Sequence, residues 1–222
     1  MQHHPHCFLG KNCLAEWQTA INTNASLVNY NKGERIVQEG TLVTGFYFIH
    51  TGRAKIHKQW GEGRELILNF AGPGDIMGHR GMLEEQHYPV SATAIEPLSA
   101  CFITADFFKT TLLVNHMLAY KMVLFYANEL RNAEQNMRNM AHMDVKTRIA
   151  NALLKLQDIF GVDKSGAIKT TLSRQDMASF ASTSYETLFK TLNDFIKEGI
   201  IQTTGKSISI QQEQALRALV KI

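Results

Sequence analysis

The sequence predicts an α+β chain in three successive segments, and three observations carry that reading. Short β-rich runs punctuated by glycine fill residues 32–104, the stretch from 106 to 144 holds neither Pro nor Gly, and two short helical segments joined by three residues lie near the C-terminus. The 222 residues, 45% hydrophobic and 19% charged with only 4 Pro, have an ordinary globular composition and suffice for one large core or two small ones. No run approaches the roughly 18 apolar residues of a membrane helix, and Met1-Gln2-His3-His4-Pro5-His6-Cys7 shows no positive-then-apolar leader. The expectation is a soluble cytoplasmic protein with no membrane contact. Cys7, Cys13 and Cys101 form an odd, sparse set, which argues against a disulfide framework and fits a reducing compartment.

In the first segment glycines at 33, 40, 45, 52, 61, 63, 72, 74, 78 and 81 separate the runs Phe46-Tyr47-Phe48-Ile49, Ala54-Lys55-Ile56-His57, Leu66-Ile67-Leu68-Asn69-Phe70 and Ala100-Cys101-Phe102-Ile103. Trp60-Gly61-Glu62-Gly63 reads as a hairpin connection between the second and third. Short strands at near-regular spacing predict an all-β roll or barrel.

The period then changes to that of a helix. Ala119, Val123, Tyr126, Leu130, Ala133, Met137 and Met140 follow one another at separations of 4, 3, 4, 3, 4 and 3, flanked by Lys121, Glu129, Arg131, Glu134 and Arg138. A stripe of that kind serves either to pack a helix on its own domain or to pair two copies of it. The strict heptad favours a homodimer, because a core-facing stripe is usually broader.

The last segment opens with an amphipathic helix from 145 to about 160 that carries Ile149, Leu153, Leu154 and Leu156 and stops at Gly161. Ser173-Arg174-Gln175-Asp176 has the form of a capping box and begins a short helix to about residue 181. Ser182-Thr183-Ser184 separates it from a helix over 185–198 that Gly199 ends, and Ile200-Ile201-Gln202-Thr203 and Ser207-Ile208-Ser209-Ile210 around Thr204-Gly205-Lys206 predict a closing hairpin. Charge separates along the chain: residues 1–144 carry 12 Lys and Arg against 13 Asp and Glu, residues 145–222 carry 11 against 7. An anionic partner, nucleic acid above all, suits the C-terminal excess.

Two short helices on a three-residue turn match a helix-turn-helix, and the hairpin would form its wing. On the second helix Leu188, Leu192 and Phe195 form the stripe to be buried, which leaves Tyr185, Glu186, Phe189 and Lys190 on the opposite face near the N-terminal end. A recognition helix places its base-reading residues there, while the first helix and turn face phosphates. The expected partner is double-stranded DNA.

At this point the chain resembles the Crp/Fnr family of bacterial transcription regulators over nearly its whole length. The pieces, in the family's order, are Gly74-Asp75-Ile76-Met77-Gly78 with Gly81-Met82-Leu83-Glu84-Glu85, then Ser91-Ala92-Thr93-Ala94, then Asp144-Val145-Lys146-Thr147-Arg148-Ile149-Ala150, then Ser173-Arg174-Gln175-Asp176-Met177-Ala178 with Ser184-Tyr185-Glu186-Thr187-Leu188-Phe189-Lys190. The resemblance implies a β-roll sensor domain of the cyclic-nucleotide-binding-like jelly-roll kind over 1–114, a dimerisation helix over 115–143 and a winged helix-turn-helix over 144–222. It also implies a near-palindromic promoter site and RNA polymerase as a further partner. Within it Glu186 matches the recognition-helix acid, which accepts from a cytosine N4 amine. Lys190 stands where an Arg usually reads guanine, and Phe189 replaces a small residue, so that it either touches a thymine methyl or hinders docking. Tyr185 falls at a phosphate-or-base position, and Ser173, Arg174, Gln175 and Ser184 are expected among the DNA contacts, the last three at phosphates.

The departures concern the effector. The cyclic-AMP branch has a Glu after the glycine and an Arg-Ser pair further on; here Gly78 is followed by His79 and Arg80, and the pair reads Pro89-Val90-Ser91. The helix residues that meet adenine in that branch correspond to Ala133-Glu134. Gly78, His79, Arg80 and Ser91 thus remain the candidate effector pocket, Arg80 serving either an anionic ligand or an internal salt bridge. The oxygen-sensing branch holds an iron–sulfur cluster on four Cys, one more than Cys7, Cys13 and Cys101 supply, with His3, His4 and His6 as possible additions. Redox, metal or haem sensing stands as an alternative to cyclic AMP, no metal site is assigned and the cofactor is unknown. A cupin-like metalloenzyme needs converging His, but His50, His57, His79 and His87 form no H-x-H pair; P-loop, nucleophile-elbow and HExxH motifs are lacking too. The expectation is a regulator and not an enzyme.

Overall fold

The computed structural model of the protein describes residues 8–61, 64–82 and 85–220. The chain divides into two compact units, residues 1–132 and 133–222.

The first unit begins with two short helices, α1 (Phe8–Asn12) and α2 (Gln18–Asn24). Eight strands follow: β1 (Ser26–Tyr30), β2 (Arg35–Val37), β3 (Gly45–Thr51), β4 (Ala54–Gln59), β5 (Glu65–Ala71), β6 (Ile76–Met77), β7 (Ser91–Ala94) and β8 (Leu98–Thr104). They form two four-stranded antiparallel sheets in the orders β1-β8-β3-β6 and β2-β7-β4-β5. The four runs read from sequence lie in β3, β4, β5 and β8. Strands β1, β2, β6 and β7 are additional, and they turn a set of hairpins into a closed roll.

Strand β3 explains the layering, because its residues are buried on both faces. Tyr47 and Ile49 enter the space between the sheets with Ala54, Ala92, Ala94 and Ala100, while Phe46 and Phe48 turn outward onto Leu9, Ile21, Phe108, Leu118 and Met122 of the helices. A strand covered on both sides reads as a continuous apolar run, as Phe46-Tyr47-Phe48-Ile49 does. Two further helices supply part of that cover, α3 (Ala105–Val114) and α4 (His116–His142). They break at Asn115, in a stretch free of Pro and Gly, because its buried side chain accepts from Leu118 N at 3.0 Å and caps the second helix.

The second unit contains the last turns of α4, then α5 (Val145–Phe160), α6 (Arg174–Phe180), α7 (Tyr185–Lys197), the hairpin β9 (Ile201–Thr204) and β10 (Ser207–Ile210), and α8 (Glu213–Val220). Each of α5, α6 and α7 starts on a side chain that accepts from a backbone N–H one turn in: Asp144 from Thr147, Ser173 from Asp176, and Ser184 from Thr187. The capping box at Ser173 is complete, Asp176 accepting Ser173 N in return at 3.1 Å. Gly205, at φ +59°, opens the two-residue hairpin turn as such turns require.

One sequence expectation needs correction here. The chain does not end on the hairpin: α8 follows, burying Leu216 and supported by an Arg217–Glu213 pair one helical turn apart. The segment after Gly161, on which the sequence carries no signal, also meets the hairpin. Ala167 forms an isolated bridge with Ser209, and Ile168 N donates to Ile208 O at 2.9 Å, which ties the segment to the edge of the hairpin.

Candidate nucleic-acid interface

Helix α7 has two faces. Leu188, Leu192 and Phe195 are buried, as expected, while Tyr185, Glu186, Phe189 and Lys190 are exposed. The Tyr185 and Phe189 rings lie nearly parallel, 13° apart with centroids at 6.4 Å. The backbone N–H of Glu186 and then the Ser184 hydroxyl hold the Glu186 carboxyl below the usual range, so it is an ionised acceptor at neutral pH. Lys190 makes no ion pair among the described residues and is free to meet an external acceptor.

The residues at the start of α6 divide differently. Gln175 is exposed, whereas Arg174 is half-buried, its guanidinium 3.2 Å from Met177 Sδ. Burial lowers its pKa and the adjacent Tyr185 raises it, but an arginine remains a cation. The hydroxyls of Ser173 and Ser184 are already engaged in their caps, Ser173 Oγ donating to Asp176 Oδ2 at 2.7 Å and Ser184 Oγ meeting Thr187 Oγ1 at 3.0 Å.

The turn between α6 and α7 carries a feature that sequence reasoning missed. Ser182 sits at φ +52°, a left-handed conformation uncommon without glycine. Arg148 of α5 holds it in place: Nε reaches Ala181 O and Nη2 reaches Ser182 O, both at 3.3 Å, while Nη1 donates to Met143 O at 3.0 Å. One guanidinium thus satisfies three carbonyls and fixes how α7 leaves the turn. Lys206, exposed at the tip of the β9–β10 hairpin, adds a cation to the wing.

The expected seam of α4 splits between two roles. Val123, Leu130 and Met137, each a heptad apart, are 65%, 62% and 68% exposed, and Met140 and Ala133 are exposed as well. Ala119 and Tyr126 are only half exposed. Tyr126 turns toward its own β-roll, its hydroxyl donating to His79 O at 2.6 Å. A second stripe, Leu118, Met122 and Phe125, packs against that roll, and Tyr126 lies on the border between the two.

The candidate effector residues do not converge on an open phosphate cradle. Gly78 serves the backbone: its φ is +84°, and a Cβ there would stand 2.9 Å from Gly45 O. Arg80 donates to Glu129 of α4 at 2.8 Å, an internal salt bridge. His79 is buried beside Phe125 and Tyr126, with Nδ1 3.0 Å from Ile76 O and Nε2 3.7 Å from Glu129. The His79 ring and the Arg80 guanidinium hold the Glu129 carboxyl down to about 2, against the burial that would raise it. Ser91 stands in the other sheet, its hydroxyl accepting from Glu39 N at 3.0 Å. The β-roll does have a cavity, of about 520 Å³, lined by Arg35, Val37, Gln38, Thr41, Tyr47 and Tyr88 among others; none of the four predicted residues lines it.

No group of three His, Cys, Asp or Glu is placed to hold a metal among the described residues. Cys101 is buried within β8 and Cys13 half-buried in the helical layer, while Cys7, His3, His4 and His6 lie outside the described residues, as do Leu83, Glu84 and the hairpin residues Glu62 and Gly63. Among the described residues no helix is long and apolar enough to cross a membrane.

Comparison with known proteins bears on both units of the fold. Residues 27–115 match the cyclic nucleotide-binding domain and residues 147–219 the Crp-like helix-turn-helix domain. The chain is 28% identical over 199 residues to a CRP-like cAMP-activated global transcriptional regulator of Mycobacterium tuberculosis, covering 89% of both chains. It is 26% identical over 200 residues to an anaerobic regulatory protein of Bacillus subtilis, covering 88% of this chain and 83% of that one. Among solved structures, FixK2 from Bradyrhizobium japonicum is similar with a TM-score of 0.78 at 25% identity, over 89% of this chain and 98% of that one. A regulator from Eubacterium rectale shares the fold at a TM-score of 0.81 and 19% identity, over 98% and 99% of the two chains.

Proposed function

Built from a cyclic nucleotide-binding domain followed by a Crp-like helix-turn-helix domain, the chain belongs to the Crp/Fnr family of DNA-binding transcription regulators, and from that premise we propose that it works as a homodimer on a near-palindromic promoter site. The observation that carries this reading is the two-faced α7, apolar where it packs and open at Tyr185, Glu186, Phe189 and Lys190. Its first turns enter the major groove, Arg174, Gln175 and Lys206 meet phosphates, and the capped starts of α6 and α7 set the angle of approach. Pairing through Val123, Leu130 and Met137 buries three exposed apolar side chains per protomer and places two recognition helices about one DNA turn apart, roughly 34 Å. RNA polymerase is the further partner of a regulator bound in this way.

The effector reading is narrower. At the positions that hold the phosphate in the cyclic-AMP branch no cation is available, since Arg80 is neutralised by Glu129 and Pro89-Val90 supplies none. We therefore propose an effector other than cyclic AMP. Calorimetry with about 1 mM nucleotide tests it, because a micromolar site would then be nearly saturated; binding would overturn the reading.

The dimer and the DNA contact are tested together by Leu130→Asp. A carboxylate in the seam opposes pairing, so sedimentation is expected to give monomers and the affinity for a two-half-site duplex to collapse. A variant that stays dimeric would remove the seam from the interface. A parent protein with no selective binding in a random-duplex selection would overturn the role of α7.

A further inference from the structure

We propose that Tyr185 and Phe189 act as one paired aromatic reader for the C5-methyl groups of neighbouring thymines. The proposal rests on the placement of α7 in the major groove and names what part of that face recognises.

Two large rings stand in solvent, 43% and 55% exposed, on the side of α7 that does not pack, and they are stacked on each other. A generic surface helix has no use for such a slab, since Leu188, Leu192 and Phe195 already anchor the helix from its other side. Phe189 has no polar atom, so the hydrogen-bonding edges of guanine, cytosine and adenine offer it only desolvation. The thymine methyl is the apolar group that the major groove presents.

The spacing fits this role. Four residues advance about 6 Å along a helix, and base pairs step about 3.4 Å, so the two rings span roughly two consecutive steps. Each ring is followed in sequence by a group of the other kind, Glu186 after Tyr185 and Lys190 after Phe189. The face therefore pairs apolar readers with a carboxylate suited to a cytosine amine and an ammonium suited to guanine acceptors. It leads to half-sites in which thymines adjoin the G·C pairs that the charged residues read.

Uracil tests the idea directly, because it removes the methyl and keeps the base pair. Sites selected from random duplexes by the full chain are resynthesised with uracil at each thymine in turn. In the parent, two adjacent positions per half-site should each lose about fourfold in affinity, the value of one buried methyl-sized group. In Phe189→Ala the loss should vanish at one of them, and in Tyr185→Ala at the other. Uracil without effect at every position, or with equal effect in parent and variants, would overturn the proposal while leaving DNA binding intact. Parent protein without selective duplex binding would instead overturn the placement of α7 itself. Sedimentation without DNA completes the test: a changed assembly state in Phe189→Ala would assign the rings to a second copy of the chain and overturn the thymine reading. Both side chains are exposed, so unchanged melting of the variants is expected and is checked by circular dichroism.

Discussion

Arg80 and Lys190 are both cations picked out by motif, and their surroundings differ sharply. Arg80 is held by Glu129 of α4 while its side chain stays 32% exposed, whereas Lys190 projects from α7 with no ion pair among the described residues. The same contrast runs through their neighbourhoods. Around Arg80 the guanidinium, the Glu129 carboxylate and His79 Nδ1 meet partners of their own chain, and at α7 the side-chain bonds stop at the caps, leaving the face opposite the apolar stripe open. A motif position is available to a ligand only where folding has not already satisfied it.

The largest expected effect separates the two faces of α7. Phe195→Ala empties a fully buried position and should cost about 3–5 kcal/mol of stability, while Phe189→Ala on the open face should change it by less than about 0.5 kcal/mol. Denaturant melts of both variants check this; similar losses would mean that Phe189 packs internally.

Next come the two cations at the interface. Lys190→Ala should lose about 1–3 kcal/mol on the selected site and relax preference at one base position. Arg174→Ala should weaken all sequences alike and make the salt dependence shallower. Binding-site selection with both variants distinguishes them, and unchanged preference in Lys190→Ala would remove that residue from base readout.

The closed knot of the β-roll makes the converse prediction. Glu129→Gln leaves Arg80 without its carboxylate and should cost about 1–2 kcal/mol of stability, part of the pair's value being lost to solvent screening. The folded carboxyl titrates at about 2 against an ordinary 4.5. Its contribution is therefore complete above about pH 4.5 and is lost as pH falls toward 2. Parent and variant should converge in stability over that acid window, and a constant difference down to pH 2 would contradict the assignment.

The smallest effect concerns the turn. Ser182→Gly relieves a left-handed residue at the expense of a looser unfolded chain, for a net gain of about 0.5 kcal/mol. Arg148→Ala, which frees three carbonyls, should destabilise the same turn by more. Thermal melts of the pair give the order.

What can be read from sequence depends on how local the signal is. Ser173 announces the start of α6 through Asp176 three positions on, and the Ser182-Thr183-Ser184 run before the stripe of Leu188, Leu192 and Phe195 announces α7, so both helices and the open face are legible from local spacing. The heptad through Val123, Leu130 and Met137 is legible for the same reason, but it conceals the second stripe at Leu118, Met122 and Phe125 and so places Tyr126 wholly in the seam. Strand β6 has two residues and owes its existence to pairing with β3. The partner of Arg80 lies on another element, Glu129, and Arg148 contacts carbonyls that carry no residue-type signature. Helix α8 gives little signal because it is short and fully buries only Leu216.

The pairing of β1 with β8 sets residue 26 opposite residue 102, so the roll closes only after almost half of the chain has been synthesised. Loop closure over that distance is slow beside the local helices and hairpin of the second unit. During refolding the helix-turn-helix should therefore gain amide protection first, while β1 and β8 remain exchangeable until the last step. The sensor half is then the part of the nascent chain that spends longest with open strand edges, and the one that places the greater demand on chaperones.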